Sequence, residues 1–221
     1  AALDYARQCS PGQPRPTLLF VAHREQILRQ ARETFRQVLQ DPSFGEVLAG
    51  TAGPITSDRH VFAMVQTLHR RLPDVSPTAY EVMYVDEAHH STADTWASVV
   101  RHFEPDQLVG LTATPERTDG NDISALFGGR YTTELRLWEA VDDQLLAPFE
   151  YVGVDDGTDL RHLAWHSGDY AVGALSELYT GDHARVREIM LALDRWVEHP
   201  TTMRALGFCV SVAHARFMAE Q

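Results

Sequence analysis

Short, unbroken apolar runs alternate with stretches of helical spacing through the first two thirds of the chain. The runs at 17–22, 60–65, 81–86 and 107–111 read as buried strands of a parallel sheet, and 46–49 as a shorter one. From Glu25 to Leu39 the apolar residues fall at 27, 28, 31, 35, 38 and 39, the spacing of a helix with one buried face, which Asp41-Pro42 ends. Residues 1–9 read as the tail of a helix, and a short helix runs to Leu72. Another spans roughly 93–102, with Ser91 or Thr92 as its cap. Residues 116–120 read as a polar loop, 121–127 as a short helix stopped by Gly128-Gly129, 131–137 as a strand and 138–144 as a helical turn. Strands alternating with helices predict an α/β fold, a mostly parallel sheet with helices on both faces.

From Pro148 the pattern changes. Phe149 to Val154 is strand-like and leads to the acidic turn Asp155-Asp156-Gly157. Residues 169–178 and 182–198 read as helices, Met203 to Val210 as an apolar strand, and 211–220 as a helix. The expected domains are 1–147 and 148–221, the second being the beginning of another α/β unit.

Composition changes this picture little. A hydrophobic content of 44% and a charged content of 23% over 221 residues fit a globular chain with a real core. No apolar run approaches the roughly 18 residues that a membrane span needs. The two cysteines, Cys9 and Cys209, form no motif, which points to a reduced, cytoplasmic setting. The net charge of −12 does not announce nucleic-acid binding, although residues 1–40 hold six arginines against three acids. All 19 basic residues are arginine, so no P-loop lysine lies within the chain.

The candidate chemistry lies where predicted strands end. His23-Arg24, Gln66-Thr67, Asp86-Glu87-Ala88-His89 and Thr112-Ala113-Thr114 each follow an apolar run. In a parallel sheet these ends share one edge, the edge at which ligands of open α/β sheets sit. Asp86 and Glu87 are adjacent on an extended backbone and so point in different directions. One carboxylate can hold Mg²⁺ or its water shell while the other faces a nucleophilic water.

Taken together, these segments resemble the superfamily 2 helicases of the DEAD/DEAH class over nearly the whole chain. Asp86-Glu87-Ala88-His89 reads D-E-A-H, as in motif II. Leu111-Thr112-Ala113-Thr114-Pro115 resembles motif III, and Phe20-Val21-Ala22-His23-Arg24 resembles motif Ia. Val65-Gln66-Thr67-Leu68 is similar to the next nucleic-acid-facing motif. Leu206-Gly207-Phe208-Cys209-Val210-Ser211 is similar to motif IV, which opens a second RecA-like domain. The Thr-Pro-Glu-Arg-Thr-Asp-Gly stretch after motif III brings the resemblance nearest to helicase subunits of type III restriction enzymes.

The resemblance implies a RecA-like fold, ATP and Mg²⁺ as cofactors, and DNA as partner, with RNA not excluded. Asp86 would hold the Mg²⁺ of Mg-ATP through water, and Glu87 would orient and deprotonate the attacking water. His89 would link the γ-phosphate state to motif III, and Thr112, Ala113 and Thr114 would pass it on. His23, Arg24, Gln66 and Thr67 would lie along the nucleic acid. Motif I and motifs V–VI are absent from these residues and are expected on the remainder of the same polypeptide, with motif I upstream of Ala1. The chain alone is expected to hydrolyse ATP negligibly.

Two other readings compete. A RecA-like module that binds nucleic acid or a partner without turnover would also lack the lysine. A metal-dependent hydrolase could be built on Asp86, Glu87, His89 and His90, with His162 and His166 supplying a zinc face if that segment is helical.

Overall fold

The computed structural model describes residues 1–50, 59–88, 94–113, 126–129, 131–155, 157–166 and 169–221. The chain divides into two compact units, Ala1–Glu134 and Leu135–Gln221.

The first unit is a five-stranded sheet, all parallel, in the order β2-β3-β1-β4-β5. Its elements are α1 (Ala2–Gln8), β1 (Leu18–Ala22), α2 (Glu25–Leu39), β2 (Glu46–Leu48), β3 (His60–Met64), α3 (Val65–His69), β4 (Val82–Asp86), α4 (Asp94–His102) and β5 (Gln107–Leu111). The central strand β1 is buried along its whole length, as its unbroken apolar sequence requires. The side-chain period of two divides the core between two faces. Leu19, Val21, Val61, Ala63, Met83 and Val85 pack with Val65 and Leu68 of α3 and with Trp96, Val99 and Val100 of α4. Leu18, Phe20, Ala22, Phe62, Val82 and Tyr84 pack with Ala2 and Tyr5 of α1 and with Leu28 and Phe35 of α2.

The second face is an aromatic cluster. Phe35 lies 5.4 Å from Phe62, 5.7 Å from Tyr5 and 6.1 Å from Tyr84, centroid to centroid. Both tyrosine hydroxyls are spent at its rim: Tyr5 donates to the Pro16 carbonyl at 2.6 Å, and Tyr84 donates to Asp4 at 2.6 Å. Burial of an aromatic ring with its polar tip satisfied is what makes tyrosine usable in a core. Burial, with the Asp4 contact, raises the Tyr84 hydroxyl well above its ordinary pKa.

The second unit holds α5 (Leu137–Asp142), β6 (Trp165–His166) paired antiparallel with β7 (Asp169–Tyr170), α6 (Val172–Tyr179), α7 (His183–Trp196) and α8 (Val212–Ala219). Asp182 caps α7 by accepting from the N–H groups of Ala184 and Arg185, and Ser211 caps α8 by accepting from that of His214. Tyr179 carries the Arg185 guanidinium over one ring, 4.0 Å from the centroid, and stacks on His214 at 5.6 Å.

Five expectations are corrected here. Met203–Val210 forms no strand: Leu206 is 87% exposed and Phe208 95%. Phe149–Val154 and 131–137 also carry no ladder, although Leu137 opens α5. An apolar run becomes a strand only beside another strand, and none lies beside these among the described residues. Residues 169–170 are strand, so the predicted helix begins at Val172. His166 lies in β6, so His162 and His166 share no helical face. The expected cap at Ser91 or Thr92, the turn at 51–53 and most of the 121–127 helix lie outside the described residues.

No helix of the described residues is long and apolar enough to cross a membrane.

Candidate functional site

The sheet's winding order fixes where a ligand crevice opens. From β1 the chain crosses through α2 towards β2, on one side of the sheet; from β4 it crosses through α4 to β5, on the other. β1 and β4 are neighbours, with Val21 opposite Val85. Adjacent strands whose connections leave in opposite directions open a crevice beyond their carboxyl ends. His23 follows β1 and Asp86 ends β4, so these two residues flank that crevice.

Asp86 is half-buried. Burial raises its carboxyl pKa above the ordinary value; the neighbouring Glu87 charge adds to this, while the Glu87 N–H bond and the His23 ring oppose it. A carboxylate with incomplete hydration of its own gains most from a cation beside it. Glu87 has φ of +54°, in the left-handed region that residues with a Cβ seldom occupy. The chain therefore turns sharply at Glu87, and Ala88 returns to the core with 1% exposure.

Asp86 opens into a cavity of about 410 Å³ with Phe20, Ile27, Gln30, Ala31 and Thr34 on its walls. A second cavity, of about 450 Å³, runs along β5, where Thr112 meets Asp4, Arg7, Gln107 and Tyr131. Asp86 stands opposite Leu111 in the β4–β5 ladder, which brings Thr112 to the same edge.

Register also carries the β3 end to this edge, since Ala22 stands opposite Met64. There the sequence pair separates. Gln66 is exposed, whereas Thr67 is 4% exposed and turned into the core of α3. A side chain so buried reaches a ligand only through the helix it anchors. Arg24 is exposed at the start of α2, with extended backbone at the helix cap. Ala113 is exposed and Thr112 half-buried. His89 and Thr114 lie outside the described residues. Gln30 and Thr34 went unread in the sequence, although polar residues sharing the helical face of Ile27 and Ala31 were a signal of a wet end to that face.

Hard oxygen donors at a strand end suit Mg²⁺, which binds through one or two carboxylates and keeps several waters. Among the described residues no three side chains of ligating type converge into an all-protein metal cage.

Similarity to known proteins follows the same residues. The family described as Type III restriction enzyme, res subunit, matches residues 1–117. Over 205 residues the chain is 26% identical to IRC3 of Saccharomyces cerevisiae, a protein assigned by name to the ATP-dependent helicases; the match covers 90% of this chain and 29% of that protein. It is 26% identical over 156 residues to the Type I restriction enzyme EcoAI endonuclease subunit of Escherichia coli, covering 65% of this chain and 18% of that one. The chain thus spans less than a third of the length of either relative. A fragment structure assigned as an HsdR subunit of a type I restriction enzyme from Vibrio vulnificus YJ016 shares the fold. Its TM-score is 0.57 at 20% identity, over 97% of this chain and 35% of that one. The chain belongs to the type III restriction enzyme res-subunit family, within the superfamily 2 helicases, and its sheet is that of a RecA-like domain.

Proposed function

We propose that the chain is part of an ATP-dependent helicase or translocase that couples Mg-ATP hydrolysis to movement on DNA. The observation that carries this reading is the Asp86–Glu87 pair at the crevice between β1 and β4, inside the stretch that matches the family. When bound, Mg²⁺ would neutralise charge on the phosphates. Asp86 would hold the ion's water shell, since its half-burial favours a cation beside it. Glu87 turns away from Asp86 and orients the attacking water as general base. Thr112 and Ala113, on the neighbouring strand end, together with Thr114 would carry the phosphate state to a second domain, and His89 would link the γ-phosphate state to them. His23, Arg24 and Gln66 face the nucleic acid, where phosphate contacts fix register without reading sequence. Thr67 supports them from within α3.

Residues 1–147 then form the body of the first RecA-like domain and 148–221 a connector and the beginning of a second. The remainder of the polypeptide supplies the phosphate-gripping lysine and the arginine finger, in a cytoplasmic protein. A second reading rests on the lack of lysine in these residues: a RecA-like module that binds nucleic acid without turnover.

The test is DNA-stimulated ATP hydrolysis by the longest natural protein containing this sequence, beside its Glu87→Gln variant. The expected loss in kcat is about 10²–10⁴-fold with ATP affinity retained. Equal turnover by both proteins overturns the role of Glu87. DNA binding without any turnover selects the second reading.

A further inference from the structure

Glu87 sits in an unfavourable backbone conformation at the point where the carboxylates must be held still. Left-handed backbone at a residue with a side chain persists only where its surroundings over-determine it. The restraint comes from the next residue. Ala88 is buried in the core on the α3–α4 face, and that core includes Phe127 at its margin. Above β5 the same space is crowded from two sides. A Cβ placed on Gly110 would lie 2.9 Å from both Cε1 and Cζ of Phe127 and 3.1 Å from the Ala88 Cβ. Only a residue without a side chain leaves room there, and the reason is close approach, not the backbone angle of Gly110.

We propose that Phe127 and Gly110 form a seat for Ala88 that holds Glu87 in its left-handed conformation. Phe127 is then a positioning residue for the Asp86–Glu87 pair. The seat adds a side-chain contact to two strand ends that the ladder pairs only as far as Asp86 and Leu111. Gly110 lies two residues before Thr112 on β5, and Ala88 lies two residues after Asp86 on β4. With the ring against both, the carboxylates and the Thr112 hydroxyl keep one spacing. The importance of the seat rests on the reading that this pair does the chemistry; its existence rests on packing and backbone geometry.

The experiment is NMR on the 221-residue chain, reading the Cα and Cβ shifts and the HN–Hα coupling of Glu87 with amide exchange at Glu87 and Ala88. Phe127→Ala is expected to remove the left-handed signature and to speed exchange at both amides at least tenfold. Leu19 and Val61, in β1 and β3, should keep their protection. Phe127→Leu, which retains apolar volume, should restore most of the effect. Gly110→Ala should produce the same change at Glu87 from the other strand by displacing the ring. A left-handed signature and unchanged exchange at Glu87 in Gly110→Ala, or in Phe127→Ala where it folds, overturn the seat. ATP turnover does not enter this readout. A seat that responds as expected beside an active Glu87→Gln protein would remove the functional reading and leave the seat, and the reverse pattern would do the opposite.

Discussion

Individual residues at the crevice are held at a cost to stability. A left-handed residue with a Cβ costs about 1–2 kcal/mol, so Glu87→Gly should raise stability by roughly 1 kcal/mol, seen as a higher urea midpoint. Glu87→Ala should bring no such gain. Asp86 behaves similarly. Its folded pKa lies above the unfolded one, so between them the folded chain binds the extra proton. The contribution of Asp86 to stability is present at low pH and falls as pH rises through that window. Asp86→Asn should therefore stabilise the chain at pH 7 and make little difference at pH 3. His60 works in the opposite direction. Burial, then the charges of Arg59 and Arg15, lower its pKa from 6.5 to about 4, and its ring stacks on Phe44 at 4.4 Å. The unfolded chain takes up that proton first, so stability is full above pH 6.5 and declines as pH falls towards 4. In His60→Phe the urea midpoint should depend less on pH across that interval.

At the scale of elements, α2 supports the site most directly. It carries the wall of the Asp86 cavity and fastens itself to the sheet through Phe35, which is 1% exposed among five other rings. Phe35→Ala should cost about 3–5 kcal/mol by urea unfolding, a large part of the stability of an ordinary domain. The sequence disclosed this helix to the residue, because its 3.6-residue pattern is unmixed with other signals. It disclosed β1, β4 and β5 for a related reason: an unbroken apolar run inside a parallel sheet has little else to become. Met203–Val210 has the same composition and no ladder, because pairing is a property of neighbours and not of the run. The site was half legible. Polar residues after strands announced the shared edge, but the inward turn of Thr67 and the crowding at Gly110 depend on contacts between distant segments.

Over the molecule as a whole, the two units differ in how much they bury. Nearly all the buried apolar residues belong to Ala1–Glu134; among the described residues of Leu135–Gln221 only Ala140, Val186 and His214 are buried. Apolar residues such as Trp138, Tyr151, Leu206 and Phe208 stay in water there. Stability should follow burial. In hydrogen exchange, the amides of β1, β3 and β4 should be protected close to the global limit, and those of α6 and α8 should exchange orders of magnitude faster. Equal protection in both units would show that burial within each unit is a poor guide to its stability.

The order of strands also has a history in time. β1 lies at the centre of the sheet, yet it precedes both of its partners along the chain. Its partners arrive late: Leu18 pairs with His60, 60 − 18 = 42 residues on, and with Val82, 82 − 18 = 64 residues on. At roughly 5–20 residues per second, β1 waits about 3–13 s for its second neighbour. During that interval Leu-Leu-Phe-Val-Ala is an unpaired apolar segment on a growing chain; α1 and α2 can cover Leu18, Phe20 and Ala22, while Leu19 and Val21 await α3 and α4. The arrangement that places His23 beside Asp86 in the finished protein thus leaves one face of the central strand waiting for segments made later.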